Sequence, residues 1–161
     1  MTTIRTALVD VYVLRGRGET LEALLLRRAR DQVRGGTWEA VHGKIDGGET
    51  PVAAARRELR EEIGCEPLAL YNLSRVEQFY LHHDDEIALV PVFVAFIAAD
   101  AVIHLSDEHD TLLWLSLEAA TAQCTWPRAA RALEDAVRML GTGNAGLLEE
   151  ILRIPPPPLP D

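Results

Sequence analysis

The sequence predicts an α/β protein in which a mixed β-sheet is sandwiched between helices. Segments rich in Val, Ile and Leu, typical of strands, alternate with stretches that have the apolar spacing of amphipathic helices. Glycine and proline residues separate these segments at positions where turns are expected. A chain of 161 residues is also long enough for one domain with a sizeable core.

The first third of the chain is predicted to form strands. Residues 4–14 and 21–28 are rich in branched aliphatic side chains and flank a turn over residues 15–19. A polar loop over residues 31–37 leads to a short strand over residues 38–42. A second glycine-rich loop over residues 43–50 follows this strand.

The clearest helix signal covers residues 51–63. Thr50 is a favoured N-cap residue, and Pro51 suits the first helical position. Gly64 suits a left-handed C-cap, and Pro67 prevents the helix from continuing. We therefore expect a helix that begins at residue 51 and ends at residue 63.

The second half is predicted to contain three strands and then helices. Strands over residues 68–81 and 86–98 flank a polar turn, and a shorter strand covers residues 111–115. Helical patterns follow over residues 116–122 and 127–140, with one or two further turns over residues 147–152. We expect a single domain over residues 1–153 and an extended proline-rich tail over residues 154–161.

Composition excludes several classes of function. A formal net charge of −9 argues against binding to a nucleic-acid polymer, which carries the same sign of charge. No apolar run reaches the roughly 20 residues that span a membrane, and the N-terminal residues do not resemble a signal peptide. We therefore expect a cytoplasmic protein.

Three carboxylates crowd one face of the predicted helix. On a helical wheel, Glu58, Glu61 and Glu62 fall within an arc of about 100°, with no cationic side chain among them. Glu58 and Glu62 repel each other at the i, i+4 spacing unless a cation lies between them. Oxygen ligands without Cys or His suit Mg²⁺ or Mn²⁺. The alternative is a solvated face with ion pairs, in which Arg57 contacts Glu61.

A glycine-rich loop precedes this helix, and its glycines allow a close approach of backbone and ligand. The combined pattern is Gly43-x5-Glu49-x7-Arg57-Glu58-Leu59-x-Glu61-Glu62-x-Gly64-Cys65. This pattern resembles the Nudix box over its full length, although Cys65 replaces the usual bulky aliphatic residue. The surrounding order of strands and helices also resembles the Nudix fold.

The resemblance implies a Mg²⁺-dependent hydrolase, with Mn²⁺ as a substitute, that acts on a small phosphorylated molecule and in some relatives forms a homodimer. It also implies roles for individual residues. The metal ligands would be Glu58, Glu61, Glu62 and the backbone carbonyl of His42. Glu49 would brace the loop, and Arg57 would orient the catalytic carboxylate Glu61. The substrate loop would consist of Gly43, Lys44, Gly47 and Gly48.

Three candidate residues lie outside the box. Glu108, in a loop before the strand at 111–115, is the candidate catalytic carboxylate, with Asp107 and Asp110 as alternatives. Arg27 and Arg28 end a strand beside the box loop, and Arg27 is the candidate phosphate contact, with Arg28 or a purely structural role for both as the alternatives. Tyr80 lies sixteen residues after Gly64, a spacing that resembles diadenosine polyphosphate hydrolases.

The resemblance also suggests a substrate. Residues 38–43, and Glu108 with Trp114 six residues later, resemble enzymes that cleave dATP or dihydroneopterin triphosphate to a monophosphate and pyrophosphate. The alternatives are a hydrolase of diadenosine polyphosphates or of other nucleoside diphosphates linked to a second group, and a Nudix-fold binding module without turnover.

Overall fold

The structure, a computed structural model, describes residues 1–144 and 146–157. Within these residues the chain forms one nine-stranded mixed sheet and four α-helices. The elements, in chain order, are β1 (Thr3–Thr6), β2 (Leu8–Arg15), β3 (Glu22–Arg28), β4 (Trp38–Glu39), β5 (Val41–Lys44), α1 (Pro51–Ile63), β6 (Ala69–Leu81), β7 (Glu86–Phe96), β8 (His109–Leu115), α2 (Leu117–Gln123), α3 (Pro127–Leu140), α4 (Leu147–Leu152) and β9 (Arg153–Ile154).

The sheet contains both parallel and antiparallel pairs, as predicted. Its main path runs β4-β3-β2-β7-β6-β9, and β2 pairs with β7 in parallel. Three strands pair outside this path: β1 with β7, β5 with β2, and β8 with β3. Strand β3 therefore pairs with both β4 and β8, and β5 pairs with the neighbouring strand β2. The described residues contain no helix long and apolar enough to cross a membrane.

Helices cover both faces of the sheet and divide the core into two layers. On one face Val9, Val11 and Val13 of β2 pack in the layer that contains Leu59 and Ile63 of α1. The alternate β2 residues Tyr12 and Leu14 belong to the opposite layer, together with the buried side of α3. Both layers are needed because each face of the sheet is apolar.

Helix α1 begins and ends where its capping residues predict. The Thr50 side chain accepts a hydrogen bond from the Ala53 amide at 3.2 Å, and Pro51 takes the first helical position. Gly64 has a φ of 68°, in the left-handed region, and its amide bonds to the Arg60 carbonyl. These caps fix the end of α1 that carries the acidic residues.

Three features differ from the sequence prediction. The strand expected over residues 38–42 is divided at Ala40, and its second part, β5, continues through Gly43 and Lys44, which were expected in the following loop. The strand expected over residues 4–14 is interrupted at Ala7, whose carbonyl instead accepts the Ile45 amide at 2.9 Å. The strand β9 was not expected, because two residues carry no measurable periodicity. It pairs Ile154 with Leu70, so this first residue of the predicted tail joins the sheet. Residues 158–161 of that tail lie outside the described residues.

Candidate active site

A direct contact between β5 and α1 forms the base of the candidate site. Gly43 lies against the end of the Glu58 side chain, and a Cβ atom at Gly43 would fall 1.8 Å from the Glu58 carboxyl carbon. Only glycine leaves room for this carboxylate. The box glycine therefore acts here by providing space for an acidic side chain.

The three acidic residues of α1 differ in exposure. Glu58 and Glu62 are buried, and only 3% of Glu62 is accessible to solvent, whereas the Glu61 side chain is 58% exposed. The helical wheel placed all three on one open face, but β5 covers part of that face. Within residues 1–144 and 146–157, no three acidic, histidine or cysteine side chains converge closely enough to hold a metal ion. The carboxylates instead line one wall.

Arg57 connects this wall to the loop before the helix. Its guanidinium forms two hydrogen bonds to the Glu49 carboxylate, at 3.1 and 3.0 Å, and a third to the Lys44 carbonyl at 2.7 Å. Its remaining nitrogen donates to Glu58 at 2.7 Å and to Glu61 at 2.9 Å. The predicted contact of Arg57 with Glu61 is therefore present, the contact with Glu49 was not predicted, and hydrogen bonds to Glu49, Glu58 and Glu61 raise the pKa of Arg57.

The expectation that no cationic side chain lies among the three acidic residues of α1 was wrong for Glu58 and Glu61. Arg57 donates to both Glu58 and Glu61; the pairing with Glu61 was the alternative that the wheel offered, whereas the contact with the adjacent Glu58 was not foreseen. The third residue, Glu62, has no such partner. Its Oε2 is buried and accepts no hydrogen bond in the described part of the chain.

Burial raises the pKa of Glu62 well above its usual range, and the carboxylates of Glu58, Glu39 and Glu108 raise it further. Burial also raises the pKa of Glu58, against the lowering effect of Arg57. A buried, ionised carboxylate without a partner is costly for the fold. A cation beside Glu62 would remove that cost.

A second group of polar side chains reaches Glu62 from the sheet. Arg28 donates to Glu39 at 3.0 Å and to Glu108 at 3.4 Å. His109 places Nε2 3.3 Å from Glu39 and Nδ1 4.0 Å from the Glu62 carboxylate. Sequence reasoning missed Arg28, Glu39 and His109 as a group, because they come together only through the pairing of β3 with β4 and β8.

Glu108 lies at the wall of the same site. Its backbone carbonyl accepts the Ala29 amide at 2.8 Å, which ties the loop before β8 to the end of β3. Its carboxylate is about half exposed and contacts only Arg28 among the described side chains. The alternative residue Asp110 is instead paired with Arg27 at 2.7 Å.

A cavity of about 570 Å³ opens in front of these groups, a volume in the range of small-molecule sites. Lys44 and Arg34 lie on its rim, and neither side chain pairs with a carboxylate in the parts of the chain that the structure describes. Arg34 was not among the residues selected from the sequence. The complete lining is Leu8, Arg28, Gln32, Val33, Arg34, His42, Gly43, Lys44, Arg57, Glu58, Glu61 and Glu108.

Six predicted site residues do not line this cavity in the described structure: Arg27, Gly47, Gly48, Glu49, Glu62 and Tyr80. Arg27 pairs with Asp110, whereas Arg28, the other arginine at the end of that strand, lines the cavity. Tyr80 is 57% exposed, and its hydroxyl donates to Asp85 beside the turn that joins β6 to β7. The glycines of the loop, Gly47 and Gly48, lie in the turn before α1 and also outside the lining.

The His42 side chain is held on the α3 face of the sheet. It pairs with Asp10, and Asp10 also accepts a hydrogen bond from Arg128 at the start of α3. Burial favours the neutral acid, but His42 and Arg128 together lower the pKa of Asp10. Beside this cluster and Trp126 lies a cavity of about 10 Å³, enough for about one water molecule and too small for a nucleobase.

The residues present fit a divalent cation in their chemistry. The wall offers carboxylate oxygens of the kind that Mg²⁺ prefers, without cysteine. The buried and unpartnered Oε2 of Glu62 is the observation in this structure that supports such an ion. Glu58 and Glu61 would also serve as ligands through the oxygen of each carboxylate that Arg57 does not bind.

Comparisons with known proteins agree with this geometry. The family model described as NUDIX domain matches residues 5–136. An octanoyltransferase of Myxococcus xanthus is 35% identical over 114 residues, which cover 70% of this chain but only 31% of that protein. The chain thus matches about a third of that relative's length.

Solved structures show the same fold. A dihydroneopterin triphosphate pyrophosphohydrolase of E. coli has a TM-score of 0.67 at 23% identity, covering 86% of this chain and 99% of that one. A binary complex of a C. elegans Ap4A hydrolase has a TM-score of 0.69 at 22% identity, covering 83% of this chain and 96% of that one. At these identities the similarity concerns the fold alone.

Proposed function

The chain belongs to the NUDIX family, and on this premise we propose that it is a pyrophosphohydrolase that cleaves a nucleoside or pterin triphosphate. The proposed products are the monophosphate and pyrophosphate, and the proposed cofactor is Mg²⁺. NUDIX hydrolases act on small phosphorylated substrates and generally use divalent metals. The triphosphate and Mg²⁺ are the specific substrate and ion that we propose for this chain.

One observation carries the proposal: the same cavity is lined by carboxylates and by two cations that have no carboxylate partner among the described residues. Glu58 and Glu61 line the acidic side, with Glu62 buried behind them. Arg34 and Lys44 provide positive charge on the rim. A polyphosphate needs both features, since cations bind its oxygens directly and carboxylates hold the metal that binds the rest.

A bound divalent cation would supply Lewis acidity, lowering the pKa of an attacking water and neutralising the charge on the phosphates. Glu108 is the proposed general base. Its carboxylate is half exposed on the cavity wall and only weakly held by Arg28, at 3.4 Å. It can therefore accept a proton from the attacking water, whereas Glu58 and Glu61 already share Arg57.

Arg57 has a different proposed role, which is to orient the acidic wall. It contacts Glu49 and the Lys44 carbonyl from one side, and Glu58 and Glu61 from the other. A single guanidinium thus fixes the loop relative to the helix. The arrangement keeps the carboxylates in place before substrate binds, which lowers the cost of forming the reactive complex.

The choice of a triphosphate is supported by two sequence segments that meet in the fold. Residues 38–43 and the segment from Glu108 to Trp114 both resemble triphosphate-cleaving enzymes. In the structure they are linked, since Arg28 contacts Glu39 in the first segment and Glu108 in the second. Tyr80, the residue that favoured diadenosine polyphosphates, bonds to Asp85 away from the cavity.

A substrate panel tests the proposal. The purified protein is assayed in Mg²⁺ with nucleoside triphosphates, dihydroneopterin triphosphate, diadenosine tetraphosphate and nucleotide sugars, beside a Glu62→Gln variant as the inactive control. We expect the highest kcat/KM for a triphosphate. A higher kcat/KM for diadenosine tetraphosphate would refute the substrate assignment, and binding without turnover of any compound would indicate a ligand-binding module.

A further inference from the structure

His109 occupies an unusual position between two carboxylates. It lies buried in β8, with Nε2 3.3 Å from Glu39 and Nδ1 4.0 Å from Oε2 of Glu62. In the part of the chain that the structure describes, Nδ1 and this Glu62 oxygen are two of the few buried side-chain atoms without a hydrogen-bond partner. The two unpartnered atoms therefore face each other across a short gap.

The fold holds His109 in this place from two directions. Its strand is paired with β3, where His109 lies opposite Arg28, and Arg28 in turn holds Glu39 at 3.0 Å. The loop before the strand is tied to the end of α1, because the Ser106 amide donates to the Glu62 carbonyl at 3.1 Å. The imidazole and Glu62 are thus fixed to the same part of the backbone.

We infer that His109 is a positioning residue for Glu62, acting through the edge of the imidazole that carries Nδ1. The inference rests on the proposed function in one respect, namely that Glu62 holds the divalent cation. The order of contacts is Arg28 to Glu39, Glu39 to His109, and His109 to Glu62.

The physical reason lies at one oxygen of Glu62. In the described residues no group donates a hydrogen bond to its Oε2, and Nδ1 of His109, which has no partner either, lies 4.0 Å from this oxygen. The imidazole is held in place, since Glu39 binds its opposite edge. Groups that orient a metal ligand typically change metal affinity or activity by about 10- to 100-fold when they are removed.

The test measures binding of Mn²⁺ alone, by electron paramagnetic resonance, without any substrate. His109→Leu keeps much of the side-chain volume but removes both nitrogens, and we expect the Kd for Mn²⁺ to rise by about tenfold or more. His109→Asn keeps an amide at the level of Nδ1, and we expect it to remain within about threefold of wild type. His104→Leu, at an exposed histidine before the same strand, is the control and should bind like wild type.

Each result has one meaning. If His109→Leu binds Mn²⁺ as tightly as wild type, or His109→Asn is as weak as His109→Leu, the inference is wrong. If wild type itself binds no Mn²⁺, the proposed function fails first. Should His109→Leu not fold, His109→Gln is measured instead. It keeps an amide at the level of Nε2 and none at the level of Nδ1, and a Kd unchanged from wild type would overturn the inference equally.

Discussion

Replacement of Gly43 by alanine should separate activity from stability. The new Cβ atom would lie 1.8 Å from the Glu58 carboxyl carbon, whereas non-bonded carbons approach to about 3.5 Å. The carboxylate must therefore move by roughly 2 Å. A misplacement of about 1 Å in an active site can reduce the rate about a hundredfold, so kcat/KM should fall at least about a hundredfold.

The fold should tolerate the same change. Gly43 lies in β5, an extended segment whose backbone alanine also adopts. The displaced atoms are the end of a flexible side chain, and their movement breaks the hydrogen bond from Arg57 to Glu58. This pair is largely buried, and a hydrogen bond between charged groups contributes about 1.5–3 kcal/mol. The melting temperature should therefore fall by no more than about 12 °C.

The assay compares Gly43→Ala with Gly47→Ala, measuring kcat/KM in Mg²⁺ and melting by circular dichroism. A Cβ atom at Gly47 would have no neighbour within 4 Å, so this variant should resemble wild type in both measurements. Equal activity in the two variants would show that the position of Glu58 does not matter for turnover. Unfolding of Gly43→Ala would show that the contact is structural.

Three further predictions concern single carboxylates. Glu62→Gln should lose at least about a hundredfold in turnover. Its melting temperature in chelator should stay equal or rise, because burial raises the pKa of Glu62 and the ionised carboxylate destabilises the metal-free fold. A sharp fall in melting temperature would contradict this. Asp10→Asn should cost about 3–5 kcal/mol in urea unfolding at neutral pH. Because the pKa of Asp10 is lowered in the folded protein, its contribution to the free energy of unfolding is present above its unfolded pKa and disappears as the pH falls through its folded pKa. A loss of stability in Asp10→Asn that persists at acid pH would refute the pairing with Arg128. Glu108→Gln should lower kcat about tenfold or more, and Asp107→Asn should not; the reverse order would transfer the general base to Asp107.

Much of the site follows from local sequence. The caps of α1 and the spacing of its glutamates depend on residues close together in the chain, and Thr50 and Gly64 end the helix as predicted. The contacts of Arg57 with Glu49 and Glu61 also span no more than eight residues. Periodicity and capping capture interactions of this range.

The remaining features depend on pairing between distant strands. His109 meets Glu39 across 70 residues, through a register of β3 and β8 that no local pattern specifies. The position of Tyr80 likewise depends on the pairing of β6 with β7, which places its hydroxyl beside Asp85 and outside the lining of the cavity.

The central claim is metal-dependent cleavage of a triphosphate to monophosphate and pyrophosphate, and phosphorus NMR of a dATP reaction tests it most directly. In Mg²⁺ the account predicts equal amounts of dAMP and pyrophosphate, and no reaction when a chelator is in excess. Formation of dADP and orthophosphate, or turnover that continues undiminished in the chelator, would contradict it.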